Sequence, residues 1–191
     1  MILSEFDLNS YISYGRLKIK PIFPDTVREN GVDLRLGNEV ARLKPMKRVF
    51  DTTGNPDNSH FFKVETTDEF VLGADEKVLV TTMEEVSLPH DLMAFVQLRS
   101  SFARTGMLIP PTIIDAGFQG NITLEVRGTS FPVRLRSGQR FAHIVFAKLT
   151  TPLQKAYSGK YQGQRGVTLP VFGEREKTNY GRTRRKRGSG D

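Results

Sequence analysis

The chain is a succession of short apolar–polar alternations, each closed within a few residues by glycine, proline, asparagine or aspartate. Such runs lie at Leu17–Ile19, Gly31–Leu36, Glu39–Arg42, Phe61–Glu65, Phe70–Leu72, Lys77–Thr82, Leu92–Leu98, Ile122–Val126, Val133–Leu135 and Gln139–Leu149. Turn chemistry separates them at Pro24-Asp25, Gly54-Asn55-Pro56, Gly73-Ala74-Asp75 and Ser137-Gly138. A period of two sends successive side chains to opposite faces, so each run buries one face and needs partner strands. Many short strands with little helix predict a mainly β fold, a sandwich or barrel. Only two helices are expected. One runs from Ser4 to Tyr14, with Asp7 three residues after Ser4 as a capping box and Gly15 as its stop. Phe6, Leu8 and Ile12 are expected to face inward from it. The other is a short turn from Ser100 to about Thr105.

The 191 residues allow one domain with a full core, or one domain plus a tail. No apolar run is long enough to span a bilayer, and MILSEFDLNS lacks the basic-then-apolar layout of a secretory signal. There is no cysteine, which removes disulfides, thiol catalysis and the His/Cys/Cys zinc site of the best-known nucleotide deaminases. His60, His90 and His143 are scattered without ligand spacing. His90 sits between Pro89 and Asp91 and reads as a turn residue; His143, in the alternating run from Phe141 to Phe146, reads as a satisfied core-edge histidine. Hydrolytic chemistry therefore falls to carboxylates, hydroxyls and water. The net charge is +7, but the segment 182–191 holds five basic residues and one acid, so +4 of it sits in the tail. The aromatic residues do not interleave with these cations as a nucleic-acid stacking platform requires. A solvated tail extension is the simpler reading, with nucleic acid as a partner only through that tail.

The stretch from Arg99 to Glu125 carries the chemistry. Arg99 and Arg104 offer forked donors suited to phosphate oxygens, and Ser100 and Ser101 add hydroxyls at a helical turn. Asp115 and Glu125 can each activate a water. An anion cradle followed by two acids suggests hydrolysis of a phosphorylated small molecule. The simpler alternative is that RSSFAR is a solvated turn. Ile122, Leu124 and Val126 share one face of their run, Thr123 and Glu125 the other; alternation leaves open whether Glu125 meets solvent or a ligand. Downstream, Tyr157–Gly166 mixes glycines with Tyr157, Lys160, Tyr161, Gln164 and Arg165. It reads either as a linker or as an arm that closes over a bound anion.

Taken in order and spacing, these pieces resemble the family of deoxycytidine triphosphate deaminases and deoxyuridine triphosphatases, with the archaeal branch nearest. The motifs that carry the resemblance are MILSEFDLNSYI, Arg28-Glu29-Asn30-Gly31-Val32-Asp33-Leu34-Arg35-Leu36-Gly37, RSSFAR, Ile114 to Glu125, Gly138-Gln139-Arg140-Phe141 and Tyr157 to Gly163. The resemblance implies a distorted β-barrel or jelly-roll domain over residues 1–170, with 171–191 as a basic tail. It implies a homotrimer with sites between subunits, a cytoplasmic setting, and Mg²⁺ held through the phosphates of dCTP or dUTP rather than by the protein. By position it implies that Arg99, Ser100, Ser101, Phe102, Ala103 and Arg104 contact phosphates or order the catalytic water. Asp115 would sit by the deoxyribose, and the backbone of Pro111–Ile114 would read the base edge. Thr123, Leu124 and Glu125 would line the ring, while Tyr157, Lys160 and Gln164 close over it. Glu125 occupies the place of the deaminases' catalytic glutamate, with Ser100 and Arg104 holding its water. The resemblance thus implies a zinc-independent dCTP deaminase; dUTP pyrophosphatase or a bifunctional enzyme, with Asp115 directing water at the α-phosphorus, is the alternative. The segment from Arg104 to Asp115 is short and contains Pro110-Pro111, which removes backbone donors from the base edge and leaves the choice between cytosine and uracil open.

Overall fold

Alternating sequence becomes antiparallel sheet throughout a computed structural model that describes residues 1–54 and 56–172. Helix α1 (Glu5–Ser13) comes first, followed by β1 (Lys18–Lys20), β2 (Val27–Arg28) and β3 (Gly31–Leu43). Next are β4 (Phe62–Thr66), β5 (Glu69–Leu72), β6 (Lys77–Ser87) and β7 (Leu92–Leu98). The short α2 (Ser100–Ala103) leads to β8 (Thr112–Ile114), β9 (Gln119–Arg127), β10 (Val133–Arg136) and β11 (Arg140–Lys148). Nine strands form one sheet along the path β1-β6-β3-β11-β7-β8, with β2 and β4 attached to β3 and β9 attached to β6. β5 and β10 make a separate pair. The large sheet curls into a half-barrel, so the expected mainly β, barrel-like architecture with two α-helices is what the described residues adopt.

Register shifts interrupt the pairings β3–β6 (Leu36/Val40), β6–β9 (Thr81/Glu85) and β11–β3 (Arg140/Ala142). An extra residue in one strand bends it and raises its local twist, which lets one sheet wrap around its own core. The inward rows are Val32, Leu34 and Leu36 of β3, Val78 and Val80 of β6, and Ile122, Leu124 and Val126 of β9, with Phe141 and Phe146 from β11.

Three expectations are corrected. The runs Gly31–Leu36 and Glu39–Arg42 are one strand, because the shift between Leu36 and Val40 carries the chain through without a turn. α2 ends at Ala103, and Thr105 follows as a further turn through its N–H to the Phe102 carbonyl (3.0 Å). In α1 the capping box of Ser4 and Asp7 forms, but Phe6 is 80% exposed. Leu8, Tyr11 and Ile12, at i, i+3 and i+4, make the packed stripe, and Phe6 falls off it. Tyr11 Oη and Arg16 Nη2 both donate to Asp91 Oδ2 (2.8 and 2.7 Å), fastening the helix to the start of β7. Burial alone would push the Asp91 carboxyl up; the two hydrogen bonds and the Arg16 charge outweigh it and hold it below the usual carboxylate range.

The polar loop before β4 lies at the surface, as its composition suggests, and Asn58 Nδ2 donates to the Pro170 carbonyl at 2.8 Å. The basic segment 182–191 lies outside the described residues. Among the described residues, no helix is long and apolar enough to cross a membrane.

Candidate active site

Glu125 leaves β9 on the face opposite Ile122, Leu124 and Val126, as alternation requires, and its carboxylate is exposed to a cavity of about 330 Å³. Asp115 lines the same cavity from the end of β8, beside the buried Ile114. A tight turn joins the strands that carry the two acids: the Phe118 N–H donates to the Asp115 carbonyl at 3.1 Å, and Gly117 takes φ 82°. Gly117 also lets the chain from further downstream pass close. A Cβ there would stand 2.9 Å from the Ala156 methyl and 3.0 Å from the Tyr157 nitrogen.

The downstream segment is a strap laid over β9. The Tyr157 N–H donates to the Ala116 carbonyl (3.3 Å), and the Tyr157 ring lies 6.1 Å from that of Phe118. Gly120 forms a parallel bridge with Gln164, and the Gln164 amide donates to the Asn121 carbonyl at 2.5 Å. The Thr168 N–H donates to Thr123 Oγ1 (3.0 Å). Tyr157, Tyr161, Gln164, Thr168 and Pro170 of this segment line the same cavity as the two acids. Its walls are mostly apolar and aromatic and include two carboxylates, which suits a planar ring presented to an acid–base group.

A second cavity, of about 370 Å³, lies at the far end of β7. Arg99 and Ser100 line it together with Arg28, Glu29, Asp33, Gln97 and His143. Phe102 anchors α2 beneath this mouth, its ring 5.0 Å from that of Phe141. Ser100, Ser101, Ala103 and Arg104 are exposed, and Arg104 makes no ion pair among the described residues. Cations and hydroxyls gathered at one mouth suit an anion of several phosphates.

Within one chain the two halves stand apart. Ile114 pairs with Ala94, so Asp115 leaves the sheet level with Met93, whereas Arg99 lies six residues further along that strand direction. At the strand rise that is about 20 Å. The structure therefore unites Asp115, Thr123, Glu125, Tyr157 and Gln164 in one cavity and Arg99 and Ser100 in another, and does not bring the two groups together. Leu124 points its side chain into the core, and Lys160 is exposed and lines neither cavity. Sequence reasoning did not single out Tyr161 as a wall, nor Thr168, Pro170, Asp33 or Gln97. The YSGKYQGQRG composition offered a hint for Tyr161; the others depend on long-range pairing with no local pattern.

A curled antiparallel sheet with an acid-lined ring pocket and an arginine–serine mouth defines a β-class nucleotide-handling protein. The model of the dCTP deaminase-like family matches residues 2–149, and the chain belongs to that family. It is 58% identical over 172 residues to the dCTP deaminase of Sulfurisphaera tokodaii, covering 90% of this chain and 93% of that one. It is 50% identical over 169 residues to a Sulfolobus islandicus rod-shaped virus 1 protein named "Probable deoxyuridine 5'-triphosphate nucleotidohydrolase", covering 88% and 98%. The crystal structure of 2'-deoxycytidine 5'-triphosphate deaminase from Agrobacterium tumefaciens superposes with a TM-score of 0.61 at 24% identity. The match covers 76% of this chain and 46% of that one, and shows the shared fold.

Proposed function

We propose that the protein hydrolyses dCTP to dUTP and ammonia, in the cytoplasm, at sites shared between the protomers of a homotrimer. The observation that carries this reading is Glu125: a carboxylate on the outward face of β9, in one cavity with Asp115 and an aromatic wall. In the reaction, water adds to C4 of the cytosine ring and Glu125 takes its proton. Glu125 passes that proton to N3 of the ring, and the tetrahedral intermediate carries hydroxyl and amine on the same carbon. Glu125 then takes the hydroxyl proton and delivers it to the amine, the C4–N4 bond breaks as C4 becomes a carbonyl, and ammonia leaves. The carboxylate ends as it began, so protons and electrons balance. Ser100 and Arg104 of a neighbouring protomer hold the water and stabilise charge in the intermediate. The roughly 20 Å between the two halves within one chain supports sharing, since a second copy brings an arginine–serine mouth to each acid-lined pocket. Asp115 holds the deoxyribose, while Arg99 and Ser101 take phosphate oxygens.

The donors at the mouth fit a magnesium nucleotide better than a bare cation. They include guanidinium and hydroxyl groups, and of the two carboxylates there Asp33 is committed to Arg99, Arg140 and His143 and Glu29 faces Arg28 at 3.4 Å. Bound through the phosphates, Mg²⁺ would offset their charge; no zinc enters the scheme, in keeping with the absence of cysteine.

The viral relative supports a second reading, in which Asp115 directs water at the α-phosphorus of dUTP. One assay separates the two. Purified protein with Mg²⁺ is given dCTP or dUTP, and ammonia, dUTP, dUMP and pyrophosphate are resolved. The first reading expects ammonia from dCTP, lost in Glu125→Gln with binding retained. Ammonia release that survives the substitution removes Glu125 from the chemistry. Pyrophosphate from dUTP, lost in Asp115→Asn, establishes the second activity.

A further inference from the structure

We infer that Asp33 is a positioning residue that presents Arg99 to the substrate's phosphates. The inference rests on the reading of Arg99 as a phosphate ligand. β3, β11 and β7 lie side by side, and their register sets Asp33 opposite His143 and His143 opposite Gln97. Directly paired residues share a face, and Arg99, two places after Gln97, continues that face. Val32 and Leu34 flank Asp33 on the core side, so alternation turns Asp33 outward, yet it is only 3% exposed. Its cover is cationic and hydrogen-bonded. Oδ2 is ion-paired with Arg99 Nε at 2.9 Å and with Arg140 Nη1 at 3.5 Å, while Oδ1 is hydrogen-bonded to His143 Nδ1 at 2.9 Å. The Asp33 N–H is fixed to the Thr26 carbonyl at 2.8 Å.

This geometry decides which edge of Arg99 is free. Nε lies in an ion pair against Asp33, and Nη1 donates to the Arg140 carbonyl at 3.4 Å. Nη2 is the remaining nitrogen of the guanidinium, and it belongs to a side chain that lines the same cavity as Ser100. A guanidinium fixed side-on in advance loses little freedom when an anion arrives. Asp33 also offsets the repulsion between Arg99 and Arg140, which would otherwise drive the two apart. With both oxygens engaged and almost no exposed surface, it acts through Arg99 rather than on the substrate.

The test is calorimetric titration of the full-length protein with inorganic tripolyphosphate, together with steady-state kinetics on dCTP. Asp33→Asn is expected to weaken tripolyphosphate binding about tenfold and to raise KM far more than it lowers kcat. Arg99→Ala should weaken binding at least as much, and the double variant should be no worse than Arg99→Ala alone. Additive losses in the double variant, or undiminished binding in Asp33→Asn, overturn the positioning role. If Asp33→Asn does not fold, Arg99→Lys answers the same question. A lysine ammonium cannot hold Asp33 and a phosphate as a fork does, so tenfold weakening is expected and wild-type affinity overturns the inference. Undiminished tripolyphosphate binding in Arg99→Ala instead removes the phosphate reading itself.

Discussion

The Thr168 N–H donates to the Thr123 hydroxyl at 3.0 Å, so the C-terminal strap is tied to the same strand that carries Glu125 two residues on. The strap and the acid are therefore parts of one assembly. Displacing the strap opens the ring pocket without touching either carboxylate.

Gly120 is the place to displace it. Its φ is 145°, and a Cβ there would stand 2.7 Å from the Gln164 carbonyl oxygen and 3.0 Å from the Gln164 nitrogen. Backbone cannot yield as a side chain can, and the conformation itself disfavours any other residue. Gly120→Ala is expected to raise KM for dCTP by at least about tenfold while the barrel stays folded. Limited proteolysis should then cut within residues 150–172 at rates well above wild type. An unchanged KM with an unchanged cleavage pattern would show that the strap is not held there.

How much of this could be read from residues alone differs between the halves of the site. Glu125 was visible because Ile122, Leu124 and Val126 alternate around it, and a period of two survives in any half-buried strand. Asp33 obeys the same rule in β3 and so looks like an ordinary solvent-facing residue. Its burial comes from Arg99, Arg140 and His143, which lie about 66 to 110 residues away in sequence and arrive only when β7 and β11 pair. Tyr161, Thr168 and Pro170 belong to an irregular segment, where no periodicity exists to be read. The bulge that merges two short runs into β3 is likewise a tertiary feature: it follows from wrapping the sheet rather than from local propensity.

The link between α1 and β7 gives a pH prediction. The folded-state pKa of Asp91 is lowered, burial being outweighed by hydrogen bonds from Tyr11 and Arg16. A carboxyl depressed on folding contributes stability that is present above its unfolded value, about 3.9, and is lost as pH falls through the folded value. Asp91→Asn should therefore cost about 1.5–3 kcal/mol at pH 7, with the difference from wild type shrinking as the pH drops below about 4. Tyr11 has the opposite sign: burial and the Asp91 carboxylate raise it, so its contribution is lost as pH rises past about 10. Denaturant midpoints of wild type, Asp91→Asn and Tyr11→Phe across pH check both arms. A gap between wild type and Asp91→Asn that stays constant to pH 2 contradicts the first.

Phe141 supports the arginine–serine mouth from below. It is fully buried in β11, and its ring meets Phe102 of α2 at 5.0 Å. Phe141→Ala is expected to destabilise the fold by about 3–5 kcal/mol through the lost burial and the cavity left behind. Phe102→Ala, at a partly buried position, should cost less stability but raise KM, because α2 then holds Ser100 less firmly. Parallel measurement of unfolding midpoints and KM separates the two; equal KM changes at equal stability loss would deny α2 a positioning role.

The separation between the two half-sites yields the sharpest test of the assembly. Asp115 leaves the sheet level with Met93, about 20 Å from Arg99 along the strand direction. If each working site takes its acid from one protomer and its Ser100 and Arg104 from the next, variants damaged in different halves can repair each other. Arg104→Ala and Glu125→Gln trimers should each be nearly inactive. Unfolded together in equal amounts and refolded, they form mixed trimers in which a site draws each half independently. One site in about four then combines two intact halves, so roughly a quarter of wild-type ammonia release should return. Mixing without refolding should return little, since subunits must exchange first. If both halves of a site come from one chain, every chain in the mixture carries a defect and no activity returns at any ratio.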